Sequence, residues 1–551
     1  MLQTVPSKIS TRFFQISIAE FCYYMFFLLM LGAKGLGLAE ESIPYMLLLV
    51  SGMIFWLGKL ILTEYSFTEK IWVTFLLFLT TIVYLRTGER GIAFCVAMLI
   101  GMKDISLRRI FHISAHFLMI CFLLKMFLTQ TGLLPDLYYV HAKGSLGYVV
   151  RWSFGYSHPN VLHITYLVLA ALWIYDLSDN SRKLQQASIF FMLGNLYVLF
   201  FSLSYTGFLV VTFYLACSYY LSFRPSSSLH HPRLRKCINF CAELIFPACV
   251  LFSVAGPVLL KGKVYDLADK LVHHRFVLSN FFLTTEPVCL LGHRLLTTPD
   301  LNNSIDCSYV YLFVHLGILF FVLFCVFYFA AIHSALRKNH GAEAAILISF
   351  SVAGVTEPFM FNTSFKNITC LILGSFLFQL KMPSYLPYTF RKHAHMNHLT
   401  ALGQRNLSFP LPSMKLFDLH AVTARVLRRI CLVACIPAFL LTMLFVIRTT
   451  SFSTLLIPTR FCPDGSEQPP MVYTEQMISD LSSDTQVLSW SAPEEMCMYT
   501  GIAPHLEYIR RAICVFTWGW IVSFLLLFLF MQARLRFMKP EDQSPYRDKL
   551  Q

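Results

Sequence analysis

The sequence predicts an all-α protein, a polytopic transmembrane helical bundle of about fourteen spans: a body of about twelve, then a C-terminal two-helix hairpin. Three observations carry that prediction. Hydrophobic residues make up 56% of the chain and charged residues only 13%, against about 25% charged in soluble domains. Phenylalanine alone occurs 52 times, far more than one soluble core needs. Apolar runs of about 20 residues recur along the chain, the length that crosses the hydrocarbon core of a bilayer.

The runs fall at 13–31, 43–62, 71–85, 91–102, 110–129, 158–176, 187–201, 206–222, 239–260, 309–332, 343–360, 367–380, 429–447 and 512–531. The run at 91–102 is short for a crossing. The stretch 187–222 is one long apolar region, divided at Ser202–Tyr205. The opening MLQTVPSKISTRFF does not read as a cleaved signal, because no small-residue cleavage site follows a short apolar core.

Net charge is +14. Lysine and arginine gather in the loops expected on the cytoplasmic side: Lys103, Arg108 and Arg109; Arg182 and Lys183; Arg224, Arg233, Arg235 and Lys236; Arg337 and Lys338. This pattern puts both termini in the cytoplasm. It explains the charge without nucleic acid, for which no motif is present. Two long segments, 261–308 and 448–511, then fall outside. The predicted organisation is a body over 1–381, a basic cytoplasmic linker over 382–428, an appended module over 429–531 and a cytoplasmic tail over 532–551.

Sixteen cysteines lie mostly within apolar runs, as small hydrophobes. Cys289 and Cys307 share one outside segment, and Cys462 and Cys497 the other. Two local disulfides are permitted; spacing does not decide between them and free thiols.

Candidate chemistry gathers at three places. RWSFGYSHPN, 151–160, sets Arg151, His158 and Asn160 before an apolar run. Pro159 suits the first turn of a helix, with His158 on its N-cap side, and the free amides there favour anions. Simple anchoring of Arg151 at the headgroups is the plainer alternative. The segment 261–308 holds Arg275, Glu286, His293, Arg294 and Asp306. It shows no clear secondary structure, which at this length favours function over a solvated loop. Asp306 stands where the chain enters the next apolar run, so partial desolvation makes it a better proton acceptor. Glu357 precedes a proline in SVAGVTEPFMFNTSFKN; an acid in an apolar run is costly in lipid and turns inward or toward a mouth. Glu20 is similar and less informative.

No glycine-rich phosphate loop, metal-ligand spacing or nucleophile elbow is present, so no metal and no cofactor is expected. NNS at 302–304, NTS at 362–364 and NIT at 367–369 match a glycosylation pattern that arises often by chance.

Taken in order, RWSFGYSHPN, SLSYTGFLVV, HHRFVLSNFF with LLGHRL, DCSYVYLFVHLGIL and EPFMFN resemble the elements of bacterial O-antigen polymerases and O-antigen ligases over about residues 1–381. The chain departs from that pattern at Tyr205, where the family carries arginine. Ligases carry histidine where Asp306 aligns, which favours the polymerase. The resemblance implies a metal-independent, inverting glycosyltransferase that uses polyprenyl-diphosphate-linked oligosaccharide as donor and acceptor, in the bilayer, beside a chain-length regulator and a flippase. It implies Arg275 and Arg151 on the diphosphate and Asp306 as base. His158, Asn160, Tyr205, His293, Arg294 and Glu357 would contact substrate. A ligase with another acceptor is the near alternative. A lipid-linked oligosaccharide flippase is the alternative of another class, disfavoured by few midplane charges and no paired halves.

Overall fold

The computed structural model describes residues 13–142, 148–222, 232–296, 305–361, 366–379, 398–410, 424–449, 453–458, 472–473, 485–487 and 496–537. Cys462, the triplets at 302–304 and 362–364, most of the 382–428 linker and the tail beyond 537 lie outside them. Among the described residues, ten helices are long and apolar enough to cross a membrane, so the chain is a multi-pass membrane protein. Three further apolar helices are shorter.

The chain divides into two compact units. The first comprises Ser17–Lys125 and Tyr156–Arg405; the second comprises Met1–Ile16, Met126–Gly155 and Asn406–Gln551. The segment 126–155 thus groups with the C-terminal region, not with the rest of the body.

In chain order the first unit holds α1 (Ile18–Gly35), α2 (Ile43–Leu62), α3 (Phe67–Thr87), α4 (Gly91–Gly101) and α5 (Leu107–Gln130), whose last turn enters the second unit's segment. Then come α6 (Pro159–Leu177), α7 (Ser181–Ser202), α8 (Tyr205–Ser222), α9 (Pro232–Val254), α10 (Gly256–Leu259), α11 (Gly262–Leu271) and α12 (Arg275–Thr285). The single turn α13 (Ser308–Val310) runs through a π turn, Tyr311–Leu316, into α14 (Ile318–Arg337), followed by α15 (Gly341–Ala353), α16 (Thr369–Gln379) and α17 (His398–Gly403).

Caps fix several boundaries. Ser66 and Glu69 form a capping box at the start of α3, and Gly88 ends it in the left-handed conformation at φ 77°. α7 ends at Ser202 and α8 begins at Tyr205, the division that the sequence suggests. α6 and α15 form the core of this unit: α15 packs on α6, α8, α9, α14 and α16. α2 and α3 are mostly exposed, with Ile54, Leu57, Phe78 and Leu85 facing outward as lipid-facing side chains do.

The expectation that 261–308 lacks secondary structure is corrected. α11 and α12 occupy much of it, and their short length hid them. Val264, Leu267 and Leu271 are exposed on one face of α11 while Asp269 is buried. That arrangement fits a helix lying at a membrane interface.

Beyond α12, the chain from Glu286 returns to the π turn. The backbone amides of Ile318 and Leu319 donate to the carbonyls of Cys289 and Leu290 at 3.1 Å each, satisfying free N–H groups at the start of α14. Gly292 (φ 74°) and Gly317 (φ 97°) make this possible. A Cβ on Gly317 would lie 2.3 Å from the Gly292 nitrogen, so only glycine fits. Cys289 and Cys307 are free thiols. The disulfide permitted there is therefore not formed; Cys307 is buried, with its Sγ directed at the Gly354 carbonyl at 3.7 Å.

The second unit is not purely helical. β1 (Phe13–Ser17) pairs with β4 (Asn406–Pro410), and β2 (Tyr138–Ala142) pairs antiparallel with β3 (Tyr148–Trp152). α18 (Ala424–Arg448) and α19 (Ile502–Phe537) pack along each other through Ile430 and Phe528. Between them β5 (Thr454–Pro458), β6 (Val472–Tyr473), β7 (Thr485–Val487) and β8 (Met496–Tyr499) form a sheet of order β6-β8-β5-β7.

Trp152 Nε1 donates to Glu507 Oε2 at 2.8 Å and Arg510 donates to the Val150 carbonyl at 2.7 Å, which holds the β2–β3 hairpin on α19. Glu507 and Arg510 are also paired, both fully buried. Asp136 closes the turn after β3: it accepts from Gly155 N at 2.6 Å, Phe154 N at 3.2 Å and Ser153 Oγ at 3.0 Å. Burial pushes its carboxyl up to about 6.

Candidate functional site

Five side chains from separate parts of the sequence meet in the first unit. His158 is the N-cap of α6, in extended conformation, and its Nδ1 accepts the Asn160 N–H at 3.1 Å. Pro159 occupies the next position, where no amide is needed. Asn160 therefore projects from the first turn. Its Nδ2 donates to Glu357 Oε1 at 2.9 Å, and its Oδ1 accepts from Ser204 Oγ at 2.9 Å.

Asn160 stands on a buried polar network. Ser204 N donates to Ser202 Oγ at 3.3 Å, Ser202 Oγ lies 3.1 Å from His163 Nδ1, and His163 Nε2 lies 3.0 Å from Asn195 Oδ1. His163, Asn195 and Ser202 are fully buried, so these bonds fix their geometry. Gly207 makes room: a Cβ there would lie 2.5 Å from the His163 Cβ.

Arg275 opens α12. Two left-handed residues, His273 (φ 52°) and His274 (φ 64°), turn the chain out of α11. Asp269 then caps α12 by accepting from Val277 N at 3.2 Å. Phe276 is buried against Ala268, Val272 and Phe252, which fixes its neighbour Arg275. The guanidinium NH2 lies 3.5 Å from Glu357 Oε1, and Nε lies 3.8 Å from Asp306 Oδ2. Both are longer than the 2.7–2.9 Å or so of a tight charge-assisted bond. Nε makes no hydrogen bond among the described residues.

Glu357 and Asp306 are pinned through one serine. Ser308 Oγ donates to the Glu357 carbonyl at 2.5 Å, and Ser308 N to the Gly354 carbonyl at 2.9 Å. The result is one cation between two carboxylates. The Asp306 side chain is 37% exposed and that of Glu357 12%.

Tyr205, His293 and Arg294 lie in the same unit. His293 Nε2 contacts Glu286 Oε2 at 3.0 Å; Glu286 is buried and also accepts from Leu296 N. Arg294 is exposed beside Gly88. Tyr205 is 42% exposed at the start of α8. Arg151 belongs to the second unit, on β3 opposite Tyr139. Among the described residues no group of three or more His, Cys, Asp or Glu side chains could hold a metal ion.

Sequence reasoning missed Ser204, Ser308 and Lys366. Lys366 is 6% exposed and its Nζ lies 3.5 Å from the Val161 carbonyl, in the first turn of α6. Burial, then Lys34, push its ammonium down to about 7, against the pull of Glu357 and Glu40. Its signal was a lone charge just before an apolar run.

No known family, curated protein or solved structure matches this chain.

Proposed function

We propose that the chain is a polysaccharide polymerase of the outer face of the cytoplasmic membrane, with both termini cytoplasmic. It joins oligosaccharide repeat units carried on polyprenyl diphosphate. The observation that supports this reading is Arg275, held loosely between Asp306 and Glu357 at the end of an apolar helical bundle. A lipid-linked diphosphate needs an apolar flank for its chain and directed positive charge for its leaving group. The acceptor needs a base within reach.

In the proposed reaction an acceptor sugar hydroxyl attacks the anomeric carbon of the donor. The bond from that carbon to the diphosphate oxygen breaks, polyprenyl diphosphate leaves with the electron pair, and the anomeric centre inverts. Asp306 takes the hydroxyl proton. Arg275 exchanges its long carboxylate contacts for forked bonds to the leaving group, which supplies charge where it develops without a metal. His158, Asn160, Tyr205, His293, Arg294 and Glu357 are the proposed sugar and phosphate contacts.

The test uses membranes containing the full chain, supplied with lipid-linked repeats. A ladder of products supports polymerisation, whereas a single transfer to another acceptor supports a ligase. Asp306→Ala and Arg275→Ala should abolish the ladder with protein levels unchanged; a normal ladder in both overturns the proposal.

A further inference from the structure

The first turns of α5 carry two histidines that the reaction above leaves unused. His112 and His116 are both exposed, and four residues apart they share one face of the helix. Their ring centroids lie 4.6 Å from each other.

Each ring is tied down through one nitrogen. His112 Nδ1 lies 2.9 Å from Asp176 Oδ2, and His116 Nδ1 lies 2.9 Å from the His112 carbonyl. A carboxylate and a carbonyl both accept, so in each ring Nδ1 carries the proton and donates it. Nε2 is then the nitrogen with a lone pair in both neutral rings. Among the described residues these are the hydrogen bonds that the two rings make.

The last turns of α6 steady the pair. The Asp176 side chain is 13% exposed, against 56% for that of His112. The Trp173 ring lies 4.5 Å from that of His116, and its Nε1 donates to the Ala115 carbonyl at 3.0 Å. The neighbouring charges leave room for a cation. Arg108 is bonded to Asp179 and Arg109 to Glu20, so Asp176 is the carboxylate here that no arginine matches.

A histidine that binds a metal ion holds its other ring N–H on a carboxylate or a carbonyl, which fixes the tautomer and strengthens the ligand. Both rings meet that condition before any ion arrives. We infer that His112 and His116 chelate one divalent transition-metal ion through their Nε2 atoms, with Asp176 and the His112 carbonyl orienting the rings. Imidazole suits zinc, copper and nickel ions. No third His, Cys, Asp or Glu joins the two among the described residues. Water therefore fills the remaining positions, and the ion exchanges with its surroundings rather than being locked in a closed site. The inference is independent of Arg275, Asp306 and Glu357, and stands or falls apart from the proposed reaction.

The experiment titrates nickel(II) chloride into the full chain, without a histidine tag, in neutral detergent at pH 7.5, where ordinary imidazole is mostly neutral. Nickel(II) quenches tryptophan at short range, and Trp173 lies against His116. Wild type should show saturable quenching that EDTA reverses. That signal should be absent from Trp173→Phe, which keeps the binding seen by calorimetry. His112→Gln and His116→Gln should each weaken binding at least tenfold, and Asp176→Asn about tenfold. Zinc(II) should raise the melting temperature of wild type more than that of either glutamine variant.

Binding by both glutamine variants equal to wild type overturns the inference, because the ion then sits elsewhere among the 18 histidines. Loss in only one of the two also overturns it, since that describes a single surface histidine and not a chelate. Full binding in Asp176→Asn overturns the orienting role of that carboxylate. Where a variant fails to accumulate, wild type decides alone: nickel(II) that produces no saturable quenching overturns the site.

Discussion

In the second unit Glu507 and Arg510 are fully buried, in contact with each other, and bonded on to Trp152 and the Val150 carbonyl. In the first unit Arg275 stands 3.8 Å from Asp306 and 3.5 Å from Glu357, and its Nε makes no hydrogen bond among the described residues. The first arrangement spends every donor and acceptor on the fold. The second holds Arg275 by longer bonds, from NH2 to Glu357 Oε1 at 3.5 Å and from NH1 to the Val272 carbonyl at 3.3 Å. Breaking a fully bonded buried pair leaves an uncompensated charge. Loosely held groups at a mouth can change partners at little cost. Buried charge in this chain therefore has two uses, and bond length tells them apart.

The sharpest way to break the comparison is to mutate both sides. Arg275→Ala and Asp306→Ala should each reduce polymer formation by roughly 100-fold or more, and Asp306→Ala, at a 37% exposed side chain, should change the unfolding free energy by less than about 1 kcal/mol. Product ladders and thermal melts of the same preparations measure both. Arg510→Met should do the reverse on stability, costing about 3–5 kcal/mol by leaving Glu507 buried and unpaired. A melt unchanged in Arg510→Met would remove the distinction.

Asp136 gives a pH-dependent version. Its folded-state carboxyl is raised from its ordinary value to about 6 by burial. A raised acid favours folding most at low pH, where both states are protonated. That contribution falls as pH rises from about 4 to about 6 and is constant above. Asp136→Asn should flatten the slope between those values, read from melts across the window, even if its overall stability is lower. The smallest effect belongs to the exposed pair Arg108–Asp179, whose side chains are 62% and 65% exposed. Arg108→Ala should shift stability by no more than about 0.5 kcal/mol.

Much of this was legible in the sequence where one local rule decides. Pro159 fixes a helix start, so His158 at the cap was readable. The polar break at Ser202–Tyr205 divided an apolar run at the right place. Arg275, Asp306 and Glu357 were visible because charges beside apolar runs are expensive. Only the resemblance suggested that they share a site; composition and spacing did not, since the left-handed turn at His273–His274 and the Ser308 bonds to the Glu357 and Gly354 carbonyls bring them together. α11 and α12 were hidden because ten or eleven residues give too little periodicity. Lys366 was hidden by its polar neighbours, TSFKNIT, which read as an ordinary loop. Glu507 and Arg510 fall within the segment 448–511 expected outside, ahead of the apolar run at 512–531; only packing shows that they are interior. The sheet between α18 and α19 rests on strands of two to five residues, below what alternation can signal.

The meeting of Gly292 with Gly317 has a consequence for how this molecule can vary. The His293 amide bonded to the His315 carbonyl at 3.2 Å pins the two ends of an excursion that carries Asp306. A side chain at Gly292 would meet the His315 carbonyl oxygen at 2.4 Å and one at Gly317 the Gly292 nitrogen at 2.3 Å, so substitution at either glycine would open the clasp and loosen the entry to α14.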